Sequence, residues 1–290
     1  VEPNQNELKR IMARKRKNSL FHGIFFASTI VGVVFLVLLI GQVVMKAIGW
    51  LDWQFITSMP SRRPDASGIL VGIVGTFYLM LITAPLTFII GVATALYMEE
   101  YAKDTKLSRI IQTNISNLAG VPSIVYGILG LTIFVRILEF GNSILAGALT
   151  MTLLVLPIII VASQEAIKAV PMAQRHASFA LGANRWQTIV RVVLPSAFPG
   201  IMTGAILSLS RAIGETAPLI VVGAVAYIAF LPESLLDQFT VMPIQIYTWS
   251  SLPQEEFQNV AAAGIVLLLV MLLSMNAIAI YLRNKYQKRH

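Results

Sequence analysis

Six stretches of this chain run without a charged residue for about the length of a bilayer crossing. That repetition limits the possible folds more than any other feature. The stretches are 23–45, 68–98, 110–135, 140–164, 192–210 and 257–282, the fifth continuing past Arg211 and Glu215 to Pro232. A helix needs about 20 apolar residues to span the hydrocarbon core, whereas barrel strands are short and alternate polar with apolar positions. The expected fold is therefore all-α: a polytopic membrane protein with six transmembrane helices. The second run is longer than one crossing requires, so a surface segment around Ser67–Leu70 or a tilt is expected there. The first run exceeds the roughly 7–15 residues of a secretory h-region.

The charged residues then set the topology. Only 12% of the 290 residues are charged and 56% are hydrophobic, with a mean hydropathy of +0.74. This excludes a disordered chain, and the absence of cysteine excludes a disulfide scaffold and thiolate chemistry. In a soluble protein the net charge of +8 would raise nucleic acid as a partner. Here the cations sit in tails and loops, so the partner they imply is the lipid bilayer, with no nucleic acid. Lys9, Arg10, Arg14, Lys15, Arg16 and Lys17 precede the first run, and Lys103, Lys106 and Arg109 follow the second. Lys168, Arg175, Arg185 and Arg191 follow the fourth, and Arg283, Lys285, Lys288 and Arg289 follow the sixth. The alternate segments hold only Lys46, Arg62, Arg63 and Arg136. The positive-inside rule then puts both termini in the cytoplasm of a multi-pass cell-membrane protein. The expected organisation is a basic tail (1–22), a first span with its external loop (23–67), a core of five spans (68–283) and a short tail (284–290). The segment Asn4–Lys17 reads either as a surface amphipathic helix or as a solvated topology signal.

Residues 165–195 lie on the basic side but are patterned rather than loop-like. Met172–Leu181 follows Pro171 and suits a helix of two to three turns. Gly182 suits the position after a helix end, Asn184 can cap a second helix, and Pro195 marks a break before the fifth span. The expected unit is a helix–turn–helix on the cytoplasmic face, with Phe179 and Trp186 as large apolar groups able to anchor in a partner's cleft. The spacing His176-Ala177-Ser178, three residues, Gly182, nine residues, Val192, one residue, Leu194-Pro195 resembles the "EAA" loop of ABC-importer permeases. Two letters depart from that pattern: His176 stands in place of Glu, and Ser178 in place of the second Ala. The resemblance implies that this hairpin is the coupling element that docks on a separate ATPase subunit.

A second feature lies inside a span. Arg211 and Glu215 are four residues apart, so they share a helical face and can pair. A charge at the bilayer centre costs about 2.5–3.5 kcal/mol on insertion scales. The pair reads either as a neutralised contact between helices or as part of a polar pathway for an anion. Arginine suits an oxyanion because its planar fork binds two oxygens and stays charged. Pro218 is expected to break the helix beside a cavity. In the third span Pro122 is expected to kink the helix, and Ser123 either lines the pathway or satisfies the freed backbone.

The run Arg211-Ala-Ile-Gly-Glu215-Thr216-Ala-Pro-Leu219, with Val121-Pro-Ser123-Ile-Val-Tyr126-Gly127 and Met242-Pro-Ile-Gln-Ile-Tyr247, resembles the membrane subunits of high-affinity phosphate importers. The likeness runs from about residue 68 to the end. It implies a type I (MetI-like) ABC importer permease fold and a pathway that includes Arg211, Glu215, Thr216, Ser123 and Tyr126. The partners it implies are a sister permease subunit, two ATPase subunits and an external phosphate-binding protein. The chain has no Gly-x4-Gly-Lys-Ser/Thr phosphate loop. No cofactor is therefore expected on it, ATP and magnesium belonging to the partner ATPase, and no catalytic or metal-binding residue is assigned. Arg211 does not separate phosphate from molybdate, sulfate or phosphonate, and a membrane phosphate sensor that moves nothing is a further reading.

Overall fold

A computed structural model describes residues 5–225 and 227–287. Residues 1–4 at the start of the basic tail, including Asn4, and Lys288, Arg289 and His290 at the end of the chain lie outside the described residues. Twelve α-helices and no strand occur among the described residues. Among the described residues, five helices are long and apolar enough to cross a membrane, or six if the bent pair 106–137 counts as one span. The chain is thus a multi-pass membrane protein.

Helix α1 (Gln5–Ala47) is continuous, so the described part of the basic tail and the first span form one rod. Neither proline nor a capping break separates them. After Gly49, short α2 (Trp53–Thr57) is capped by Asp52, whose carboxylate accepts from the Phe55 amide at 2.7 Å. Helix α3 (Leu70–Leu96) follows and continues through a wide π-turn, Tyr97–Tyr101. The expected surface segment at its start is instead buried: Ser67 and Ile69 are enclosed, and the Gly68 carbonyl accepts from the buried Gln245 amide at 2.9 Å.

The third apolar run is not a straight span. It divides into α4 (Lys106–Leu118) and α5 (Ser123–Gly130, continuing as a π-turn to Ile137), bent by 105°. Pro122 sits at the N-cap of α5, where its missing amide and its restriction of Val121 stop α4 from continuing. The Tyr126 hydroxyl closes the break by donating to the Leu118 carbonyl at 2.8 Å.

Helix α6 (Ile144–Lys168) is the centre of the fold. Two-thirds (67%) of its apolar window is buried within the chain, against none of that of α1. It packs between α3 and α9 (Leu194–Ile213), with α5 and α10 (Ala217–Val222) against its far part. A reciprocal amide pair joins it to α4: Gln112 donates to Gln164 at 2.9 Å and Gln164 donates back at 2.7 Å. Helix α1 packs along α12 (Glu255–Gln287), which also contacts α11 (Met242–Ser250) and α9.

One expectation for the fifth run is corrected and another is met. Pro195 does not break it, because a helix runs from Arg185 to Ile213. The π-turn Ile189–Val193 precedes the proline, and a widened turn relieves the clash of the ring with the carbonyl four residues back. The break expected at Pro218 is present: α9 ends at Gly214, and Pro218 occupies the first turn of α10. Gly223, at φ +98°, ends α10, and the described residues from there to α11 are irregular.

Candidate functional site

The candidate residues fall into two groups at opposite ends of one long helix. Twenty-six residues of helical rise separate Arg185 from Arg211, which is roughly 39 Å.

The first group is the hairpin of α7 (Met172–Ala180) and α8 (Arg185–Thr188). Gly182 makes the turn at φ +83°, a left-handed conformation that favours glycine. Asn184 and Gln187 form a capping box, with bonds of 2.8 and 3.0 Å. Ser178, one of the two departures from the family pattern, shares a hydrogen bond of 2.9 Å with Thr188, so it ties the two helices together. His176 and Ala177 are exposed on α7, and Phe179, Leu181 and Trp186 present large apolar surfaces to the outside. Leu194 and Pro195 form the first turn of α9 and are half-buried.

Several contacts that the sequence did not reveal gather at the base of this hairpin, two of them fastening it to the body. The π-turn Tyr97–Tyr101 offers three successive residues to three cations. Glu99 meets Lys168 at 3.5 Å, Glu100 meets Arg175 at 3.0 Å, and the ring of Tyr101 lies 5.2 Å below the guanidinium of Arg185. Lys168 also reaches Glu165 at 3.1 Å. The only signal in the sequence was an acidic pair, Glu99-Glu100, ending an apolar run on the side rich in cations.

The second group is at the far end of α9. Arg211 lies in the last turn, and its Nε is 3.5 Å from Glu215 Oε1. The Arg211 side chain is 69% exposed, while that of Glu215 is 19% exposed. Among the described residues the terminal nitrogens of Arg211 have no partner. Thr216 starts α10 and is half-buried. The two motifs that were distant in sequence meet here. A Cβ on Gly127 would lie 2.8 Å from Pro218 Cα, so a glycine is needed for α5 to rest on α10. Tyr126 is buried in the core with its hydroxyl satisfied by Leu118, and Ser123 is half-buried in the first turn of α5. Next to Arg211, Ser210 bonds to Asn276 of α12. One heptad away Arg283 donates to Thr203 at 2.8 Å, so polar contacts line the α9–α12 seam. In the segment between α2 and α3, exposed Arg63 pairs with Asp65 at 2.6 Å. That hydrogen bond lowers the Asp65 carboxyl below its usual range.

The chain is similar to named proteins over most of its length. It is 34% identical over 271 residues to "Phosphate transport system permease protein PstA 1" of Mycobacterium tuberculosis (strain CDC 1551 / Oshkosh), covering 90% of this chain and 86% of that one. It is 37% identical over 209 residues to "Probable ABC transporter permease protein YqgI" of Bacillus subtilis (strain 168), covering 72% and 71%. Among solved structures, a chain of a bacterial alginate ABC transporter in complex with an alginate pentasaccharide-bound periplasmic protein superposes with a TM-score of 0.68. That match has 15% identity and covers 96% of this chain and 99% of that one. A chain of the inward-facing MetNI methionine ABC transporter gives 0.62 at 19% identity, covering 74% and 94%. These two likenesses establish the MetI-like type I fold. With residues 88–288 matching the family described as "Binding-protein-dependent transport system inner membrane component", the chain belongs to that family of ABC importer permeases.

Proposed function

We propose that this chain is a membrane-spanning subunit of an ATP-driven importer of inorganic phosphate. It forms half of the translocation pathway and couples to a separate ATPase. The observation that carries the reading is the Arg211–Glu215 pair at the α9–α10 break. Its guanidinium is open on one face of the chain, with both terminal nitrogens unengaged among the described residues. A cation facing lipid within the hydrocarbon core would be costly, so in this reading the face meets water or a polar neighbour. Glu215 holds the fork in place and keeps an arriving oxyanion from binding too tightly to leave. Similarity to relatives named as phosphate permeases favours phosphate over other tetrahedral oxyanions.

In this reading Arg211, Glu215, Thr216 and Ser123 face the pathway, and Tyr126 braces it from the core. His176, Ala177, Ser178, Phe179, Gly182, Trp186, Leu194 and Pro195 belong to the element that meets the ATPase. The partners are a sister permease (PstC-like), two ATPase subunits (PstB-like) that hold ATP and magnesium, and an external phosphate-binding protein (PstS-like). The chain itself is not an enzyme. Both termini face the cytoplasm, consistent with the cation distribution. Hydrolysis on the partners moves the hairpin, and the spans alternate between outward and inward cavities.

The test is ATP-driven uptake of radiolabelled phosphate by vesicles containing the four-component complex. Uptake is expected to require ATP, to fall at least tenfold with Arg211→Ala, and to resist equal concentrations of sulfate or molybdate. Uptake unchanged by Arg211→Ala removes the pathway assignment, and strong competition by sulfate or molybdate reassigns the cargo.

A further inference from the structure

The Arg175 guanidinium makes more contacts than one ion pair requires. Its Nη1 donates to the Val170 carbonyl at 2.8 Å and lies 3.3 Å from Met172 Sδ. Its Nη2 donates to the Ile167 carbonyl at 2.9 Å and to Glu100 Oε1 at 3.0 Å. The side chains of Arg175 and Glu100 are each only 12% exposed. One of these acceptors is the Ile167 carbonyl in the last turn of α6 and another the Val170 carbonyl two residues past its end, where a helix C-terminus favours a positive charge. The third is a carboxylate in the π-turn that ends α3. One side chain at the start of the hairpin thus holds the ends of two other helices.

We propose that Arg175 is a positioning residue for coupled transport: it latches the hairpin to the ends of α3 and α6, so that the three move as one body. Flanking contacts support the same arrangement. Lys168 on α6 reaches Glu99, and Arg185 on the second hairpin helix covers Tyr101. An open pocket lies beside the latch, lined by Glu99, Lys168, Met172 and Phe179 together with Arg175 and Arg185. Without the latch, nothing polar spans that gap between α7 and the π-turn. Motion imposed on the hairpin would then be absorbed there rather than delivered to α3 and α6. Helix α6 in turn packs on α5, α9 and α10, the helices that carry Ser123, Arg211 and Thr216. A lysine cannot replace the arginine fully, because a single ammonium lacks the planar fork that reaches two carbonyls and a carboxylate together.

This inference rests on the reading of the hairpin as the element that meets the ATPase, and two measurements separate it from the identity of the cargo. In vesicles with the full complex, phosphate uptake per ATP hydrolysed is expected to fall at least tenfold with Arg175→Ala and at least threefold with Arg175→Lys. The second readout needs no cargo. The chain has no cysteine, so spin labels can be placed at Lys103→Cys and Ala173→Cys, both exposed. The distance between them is expected to stay single and narrow with and without ATP when Arg175 is present, and to broaden or split with Arg175→Ala. If Arg175→Ala prevents assembly with the ATPase, Arg175→Lys decides. An unchanged uptake-to-hydrolysis ratio in an assembled variant, or a label distance as narrow without the arginine as with it, overturns the latch. Failure of the unmodified complex to take up phosphate, with the distance result intact, would count against the cargo and not the latch.

Discussion

Arg175 with Glu100 and Arg211 with Glu215 are the same two residue types at similar separations, 3.0 and 3.5 Å, in opposite settings. The first pair joins residues 75 apart in the chain. It is enclosed, and its remaining donors go to backbone carbonyls. The second joins residues four apart, and its guanidinium is largely exposed with free donors. An enclosed pair whose terminal nitrogens are already engaged leaves a stranded charge when one partner is removed, so it holds structure. An open pair contributes little to folding but retains the capacity to meet an anion. Exposure and spare donors, rather than residue identity, separate a fastening from a binding group.

The contrast can be broken at its stronger end first. Glu100→Ala leaves the Arg175 charge enclosed without its carboxylate, and is expected to destabilise the protein by roughly 2–5 kcal/mol. A lowered apparent Tm and faster thermal inactivation of the purified complex would register it. Arg211→Ala should leave both quantities nearly unchanged while costing uptake about 1.5–3 kcal/mol, the range for a hydrogen bond to a charged group. A large loss of Tm there would mean that the open pair is also structural. Arg211→Lys should recover only part of the uptake, since the fork is lost.

Smaller effects sharpen the comparison from its surroundings. Gly127→Ala puts a methyl against Pro218 behind the open pair, and overpacking of this kind costs about 1–3 kcal/mol. It should lower Tm and, by displacing α10, also slow uptake. On the hairpin, Ser178→Ala removes the bond to Thr188 and should cost about 1 kcal/mol. Faster backbone amide exchange limited to residues 172–193 is the expected signature, and an exchange pattern unchanged there would mean that the bond contributes nothing.

Much of this was legible beforehand because it depends on short spacings. Apolar run length marks a membrane crossing whatever surrounds it. Gly182 and Asn184 act within a few residues of where they stand, so α7 ended at Ala180 beside its expected limit and the capping box formed. Arg211 and Glu215 paired as their spacing suggests, with Glu215 just past the end of α9. Where the reading failed, a non-local contact or an alternative backbone geometry intervened. Pro195 was absorbed by a π-turn, and Ser67–Ile69 was drawn inward by Gln245, 177 residues beyond Gly68. The third apolar run carried its breaker, Pro122, in plain view. The size of the bend, 105°, depends on Tyr126, Gly127 and the neighbours they meet.

The sequence by itself determined the helical class, the apolar membrane segments, the hairpin and the local charge pair, since hydropathy, capping and i,i+4 spacing act within a turn or a bilayer thickness. Only the tertiary structure decided which arginine is enclosed and which is open, and that the Val121–Gly127 and Glu215–Leu219 motifs touch. It alone showed that three neighbouring residues of one π-turn grip three distant cations. Those outcomes depend on how long helices pack side by side, which brings together residues that no local spacing connects.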